Sequence, residues 1–162
     1  MQPDPSAIVI RPTRASDLPA LGKLAGGLVR QHHSFDPQRF FLEEPVEPGY
    51  ANWLGKESKR EGAVVLTAER AGQVVGYVYA TTIERDWSML LDFCGAIHDV
   101  FVDERERRSG VATLLIEAAV MELKKLGAPR IVLSTAARNE AAQKFFERLG
   151  FRRTMVEFTR ET

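Results

Sequence analysis

The sequence predicts a mixed α/β fold, a central sheet with helices covering both faces. Two observations predict it. Runs rich in β-branched and aromatic residues cluster before residue 96, and from Ala96 onward strand and helix patterns alternate.

Each element follows from its local pattern. Ile8–Arg11 is a short β-branched run and the first strand. Pro12 to Ala15 turn the chain, and Ser16 is placed as the N-cap of a helix with Asp17 in its first turn. Leu18, Leu21, Leu24, Ala25 and Leu28 then recur at helical spacing, and Gly26-Gly27 weakens the far end. From Gln31 to Tyr50 the pattern dissolves into His, Pro and aromatic residues, which predicts an irregular loop with at most one helical turn. A second helix covers roughly Tyr50 to Arg60 and stops at Gly62. Ala63–Arg70 and Gln73–Thr82 are strands joined by a hairpin at Ala71-Gly72. Gly76 inside the second marks a bulge or a close backbone approach. Ala96–Val102 is the next strand. After the charged loop Asp103–Arg108, a long helix runs from about Gly110 to Leu126. Its Ala112, Leu115, Ile116, Ala119, Leu123 and Leu126 line one face, and Gly127 ends it. Arg130–Thr135 is apolar without alternation, as a strand buried on both faces would be. Asn139–Leu149 is a helix closed by Gly150, with Phe151 placed for the C-cap contact. Beyond Arg152 the pattern predicts a last strand or two.

Composition sets the outer bounds. With 162 residues the expectation is one domain over 1–162, its core at about 8–160. Lys plus Arg and Asp plus Glu both number 22, so no overall basic field draws the chain to nucleic acid or a membrane. One cysteine, Cys94, excludes an intrachain disulfide and makes a thiolate metal site a poor expectation. Met1 to Pro5 lack the basic residue and apolar run of a secretory leader. No stretch reaches the ~18 uninterrupted apolar residues of a spanning helix. The expectation is a soluble protein of the cytoplasm, with no nucleic acid and no membrane as partner.

The segment that carries chemistry is Val102-Asp103-Glu104-Arg105-Glu106-Arg107-Arg108-Ser109-Gly110-Val111-Ala112. A strand ends, a polar loop turns, and a helix begins at small residues. The first N–H groups of a helix have no internal partner and lie at the positive end of its dipole. A loop that turns several of them inward cradles a diphosphate. Gly110 lets that anion approach the backbone, and Arg107 or Arg108 can add a charge-assisted hydrogen bond.

Arg107, Gly110 and Ala112 match the Arg/Gln-x-x-Gly-x-Gly/Ala motif of the GCN5-related N-acetyltransferase (GNAT) superfamily, and Val102 stands where that family usually has a valine. Asn139-Glu140-Ala141-Ala142, ending in Gly150-Phe151, resembles the family's second signature. The two signatures span 102–151, and the order of elements fits from about residue 8. The resemblance implies a mostly antiparallel sheet splayed at the coenzyme A site. It also implies acetyl-CoA as co-substrate, no metal, and a homodimer as a partner state that many relatives adopt. On this resemblance Val100, Phe101, Val102, Arg107, Arg108, Ser109, Gly110, Val111, Ala112 and Thr113 line the cofactor. Asn139 touches its pantetheine arm, besides serving as N-cap of its own helix, and Phe146 stands at the thiol.

The family's chemistry is direct attack of an amine on the thioester. The protein orients the amine, takes its proton, polarises the carbonyl through strand amides and protonates the leaving thiolate. Strict alternation puts His98, Val100 and Val102 on one face and Ile97, Asp99 and Phe101 on the other, unless a β-bulge intervenes. His98 is the first candidate base and Asp99 the second. The polyamine-acetylating branch has a glutamate at the position equivalent to His98, and an imidazole titrates in a useful range. Many relatives carry the acid, a tyrosine, where this chain has Phe146, so that role passes elsewhere; Tyr77 or Tyr79 could reach the site. His33, Phe35 and Tyr79 are the candidate acceptor-binding residues. For the loop aromatics the plainer role is packing. His32-His33 has no third ligand at metal spacing, and Cys94 reads as a small buried hydrophobe.

The function implied is an N-acetyltransferase acting on a primary amine of a small molecule or protein. The alternative is an acyl-CoA-binding sensor without turnover, which Phe146 favours. A different nucleotide binder lacks its Gly-rich motif.

Overall fold

A computed structural model of the chain describes Asp4 and residues 6–162. Met1–Pro3 and Pro5, where a leader was sought, lie outside the described residues. Five strands, β1 (Ile8–Pro12), β2 (Ala63–Arg70), β3 (Gln73–Ile83), β4 (Cys94–Val102) and β5 (Ile131–Leu133), form one sheet in the order β1-β2-β3-β4-β5. The first three pairings are antiparallel and β4–β5 is parallel. Helices α1 (Leu18–Phe35) and α2 (Glu47–Glu57) cover one face, and α3 (Val111–Lys125) covers the other. α4 (Glu140–Arg148) adds Phe146 to the α3-side core.

The core is therefore in two halves. On the α3 side Leu66, Val78, Ala80 and Ile97 meet Leu115, Ile116, Ala119 and Leu123. On the other, Leu21, Leu24, Ala25 and Leu54 meet Val65, Tyr77 and Tyr79. Leu126, expected on the buried stripe of α3, is exposed because the helix stops at Lys125. The Ala71-Gly72 hairpin has both residues at positive φ, the backbone that matches strand twist in a two-residue turn. Gly76 meets both expectations. A register shift lies beside it at Ala68/Glu69, and a Cβ there would stand 3.0 Å from the Phe101 carbonyl.

Four further expectations change. Ser16 is not a cap: a 3₁₀ turn, Ala15–Asp17, precedes α1, and Asp17 instead accepts from the Arg14 amide and from Arg11. α1 does not fray at Gly26-Gly27 but continues to Phe35, taking in only the start of the expected loop. Those glycines mark close packing, since a Cβ on Gly26 would meet Glu47 at 2.6 Å and one on Gly27 the Phe101 ring at 3.0 Å. Tertiary contact outweighs their poor helix propensity. β5 is only half-buried, because it is the edge of the sheet, and no strand follows α4.

β4 is nine residues long, yet β5 pairs only with its Gly95, Ala96 and Ile97. From His98 onward the outer edge of β4 stands open. That splay leads directly into the loop before α3. No helix among the described residues is long and apolar enough to cross a membrane.

Candidate active site

The loop after β4 is built to leave amides free. Asp103 starts it, its carboxylate accepting from the Arg105 amide. A 3₁₀ turn, Glu104–Glu106, follows, and then Arg108 and Gly110 both adopt left-handed backbone, at φ 64 and 84. Alternation of left-handed with ordinary residues turns successive N–H groups to one side. Among the described residues no carbonyl or side chain accepts from the amides of 108–113; the first α3 amide with an acceptor is that of Leu114, on the Gly110 carbonyl at 3.1 Å. A Cβ on Gly110 would meet nothing within 4 Å, so the space above it is open. Arg108, Ser109 and Gly110 are exposed, Ala112 and Thr113 half-buried, and Val111 is buried. Arg107 turns back on the strand, its Nε donating to the Val102 carbonyl at 3.4 Å and its guanidinium lying 5.3 Å from the Phe101 ring centroid.

Beside the open edge of β4, the register shifts. Tyr79 pairs with Asp99 and Ala80 with Ile97, so His98 is the extra residue of a bulge. Strict alternation therefore fails. Ile97, Val100 and Val102 face the α3 core, while His98 and Asp99 both join Phe101 on the α1/α2 face. The two candidate bases come together because of that single extra residue.

β3 presents Tyr77, Tyr79 and Thr81 to the same face, and α2 faces them with Tyr50, Trp53 and Glu57, spaced to share one helix side. Tyr50 donates to Asp99 at 2.6 Å and Tyr77 donates to the same oxygen at 3.1 Å. Thr81 Oγ1 lies 2.7 Å from His98 Nε2. The His98 ring stacks on Tyr79 with centroids 5.0 Å apart, and Trp53 meets Tyr79 edge-on at 4.7 Å. Tyr79 donates to Glu57, which Arg60 also holds at 2.8 Å.

These surroundings move the titrations in physically distinct directions. Burial pushes the Asp99 carboxyl up, against the two tyrosine hydroxyls that favour its anion. Desolvation pushes His98 down, against the nearby Asp99 charge. Tyr79 is pushed up to about 12, chiefly by desolvation, and Tyr50 and Tyr77 rise further for the same first reason and then the Asp99 charge. Glu57 is held low by Arg60 first and Tyr79 second. At neutral pH the cluster thus holds a neutral imidazole that remains open to solvent on one side, over protonated tyrosines.

The sign of the Asp99 shift yields an expected result. A carboxyl raised above the ordinary 3.8 contributes favourably only below that value and loses the contribution as pH rises through its folded pKa. Asp99→Asn keeps a carbonyl oxygen for Tyr50 and Tyr77 and removes the buried charge. Calorimetry should show a higher Tm than the parent at pH 7 and a vanishing difference near about pH 3. A lower Tm at pH 7 would mean that the charge itself holds the cluster together.

Of the remaining candidates, Asn139 caps α4, accepting from the Ala142 amide at 3.2 Å. Phe146 is buried against Phe145 and Phe151. His33 Nδ1 lies 2.8 Å from the Phe40 carbonyl, and the Phe35 carbonyl accepts from Arg138 at 2.6 Å, so both tie the loop after α1 to its surroundings. Among the described residues no hydrogen bond or ring contact joins either to His98 or Asp99. Cys94 is fully buried, and no group of three metal-ligating side chains occurs among the described residues. Tyr50, Glu57, Arg60 and Thr81 were not singled out from the sequence. The spacing of Tyr50, Trp53 and Glu57 along one helix side was the available signal for two of them.

Comparison with known proteins fits this geometry. A family model described as the acetyltransferase (GNAT) family matches residues 28–151. An uncharacterized N-acetyltransferase of Methanocaldococcus jannaschii is 31% identical over 124 residues, covering 75% of this chain and 52% of that protein. A mycothiol acetyltransferase of Thermobispora bispora is 30% identical over 130 residues, covering 74% of this chain and 41% of that protein. The chain thus spans about half or less of the length of these curated relatives. Among solved structures, an aminoglycoside N-acetyltransferase in complex with CoA superposes with a TM-score of 0.78 at 21% identity, covering 99% of both chains. A Bacillus halodurans protein, BH1408, in a tetramutant form, gives 0.83 at 20%, covering 95% of this chain and 99% of that one. At such identities the likeness establishes the fold.

Proposed function

The chain belongs to the acetyltransferase (GNAT) family, and from that premise we propose that it is an enzyme moving an acetyl group from acetyl-CoA to a primary amine of a small molecule or protein. The observation that carries the proposal is the run of unpaired amides at 108–113, at the end of a strand whose outer edge is open beside His98. Arg108, Ser109, Gly110, Val111, Ala112 and Thr113 would hold the diphosphate through backbone N–H groups. Val100, Phe101 and Val102 would border the arm of the cofactor through the open strand edge, and Asn139 and Phe146 would border it from α4. Acetyl-CoA supplies the activated acyl group when bound.

The chain's own groups do the rest. His98 accepts the proton of the incoming ammonium, helped by a pKa held below the ordinary histidine value, so that the ring is neutral at pH 7. Thr81 and the Tyr79 ring fix its orientation. Asp99, clamped by two tyrosines, lies beside it as a buried acceptor for the amine. Tyr79 is protonated at neutral pH and takes over the acid role that Phe146 cannot fill. Trp53 and Tyr79 form an aromatic wall suited to a small acceptor. Residues 1–162 act as one N-acetyltransferase domain, in the cytoplasm, as a homodimer, with neither nucleic acid nor membrane among their partners.

Phe146 favours one other reading, a sensor that binds acyl-CoA without turnover. Free-thiol release measured with acetyl-CoA over a panel of amines separates the two. Turnover above background with at least one amine supports the enzyme; tight CoA binding with none leaves the sensor.

A further inference from the structure

The loop that takes an anion carries carboxylates of its own. Between Val102 and Gly110 stand Asp103, Glu104 and Glu106. Glu104 is exposed, and Asp103 pairs with Arg105 of the same loop at 3.2 Å. Glu106 pairs outside the loop, with Arg70 at the end of β2, 2.8 Å separating Nη1 from Oε2. Both side chains are half-buried, and an ion pair so placed adds little stability. The Arg70 Nε is buried with no acceptor among the described residues, which costs stability. Stability therefore gives a poor account of this pair, whereas its place in the fold gives a good one.

Glu106 is held on three sides. Its amide donates to the Asp103 carbonyl at 2.9 Å, its carbonyl accepts from the Ser109 hydroxyl, and its carboxylate meets Arg70. The first two bonds lie within the loop, and the third ties it to the sheet. The same β2–β3 hairpin holds the start of the loop, where the Asp103 amide donates to the Val75 carbonyl at 2.8 Å. These two braces stand directly ahead of Arg108 and Gly110, whose left-handed backbone leaves the amides of 108–113 free.

We propose that Arg70 is a positioning residue for the cofactor: through Glu106 it fixes the loop in the conformation that presents those amides to the diphosphate. This rests on the diphosphate site of the proposed function and adds to it a residue from outside the motif. Without Arg70, an uncompensated carboxylate remains in a loop that receives an anion, and Glu106 loses its tie to the sheet. Without the Glu106 charge, the repulsion disappears but the tie goes with it. The sign of that second change is decisive. Through-space electrostatics alone would tighten anion binding when Glu106 is neutralised, whereas positioning weakens it.

Titration calorimetry with coenzyme A and with pantetheine, which lacks the diphosphate, tests this on the full chain. Arg70→Met and Glu106→Gln are each expected to weaken coenzyme A binding about tenfold and to leave pantetheine binding unchanged. The double variant should be no weaker than either single one, because the two residues act as a unit. Arg70→Lys, which keeps a cation against Glu106, should stay within about threefold of the parent. All four positions of change lie on partly exposed side chains, so far-UV spectra should match the parent. Glu106→Gln binding coenzyme A as tightly as the parent, or tighter, would overturn the positioning role. Losses that add in the double variant, or that extend equally to pantetheine, would also overturn it. A parent that binds no coenzyme A would overturn it together with the diphosphate site, whereas a binding parent matched by every variant would overturn the role of Arg70 alone.

Discussion

Replacing Gly110 by glutamate is expected to abolish binding of coenzyme A, with affinity in titration calorimetry falling by about 100-fold or more. Two effects act together. Gly110 sits at φ 84, and a side chain in the left-handed region costs about 1–2 kcal/mol. The new carboxylate would also occupy the open space above Gly110 and meet the diphosphate with like charge, at the place where the amides of 108–113 have no other acceptor. The residue is exposed and its Cβ direction is clear of neighbours, so the variant should remain folded. Gly110→Ala separates the two causes: it carries the backbone strain without the charge, and its affinity should fall between parent and glutamate variant. Equal affinity in a folded Gly110→Glu protein would remove the loop from the site.

His98→Ala is expected to lower kcat by about 100-fold or more while the CoA dissociation constant stays within about twofold. The base accepts a proton only when neutral, so kcat/KM should rise with pH through the free-enzyme pKa of His98. That value lies below the ordinary 6.5, because desolvation by the Tyr79–Thr81 surroundings outweighs the Asp99 charge. The parent should therefore be near its plateau at pH 7 and lose activity below it. In His98→Ala that acid limb should vanish along with the rate. A variant that keeps the parent's limb would show that another group takes the proton, with Asp99 the first to examine.

How much of this was legible in the chain depended on distance along it. The loop before α3 reads locally: a polar turn, Gly110 and an apolar stripe specify strand, turn and helix start within about a dozen residues, and the structure adds the two left-handed residues that free the amides. The α4 caps, Asn139 and Gly150, are local as well. The polar cluster is not. Tyr50 and Asp99 are 49 positions apart, and their bond exists because α2 packs over β3 and β4. The bulge at His98 has no composition signal, since one extra residue in a strand of this kind changes only its register. Strict alternation consequently separated two side chains that share a face. At Gly26-Gly27 intrinsic propensity argued for a break, whereas close packing against Glu47 and Phe101 kept the helix intact. The strand pattern after Arg152 is present in the residues, but a strand needs an edge, and in the single chain none is paired with it.

In the proposed enzyme, backbone amides of one loop hold the cofactor's diphosphate. The most direct test is an amide-resolved NMR titration of the isotopically labelled protein with coenzyme A, followed by the same titration with its dephosphorylated pantetheine portion. Large saturating shifts are expected at Arg108, Ser109, Gly110, Val111, Ala112 and Thr113 with the full cofactor, and small ones there with pantetheine. Saturable binding of coenzyme A that leaves those six amides unmoved would contradict that role of the loop.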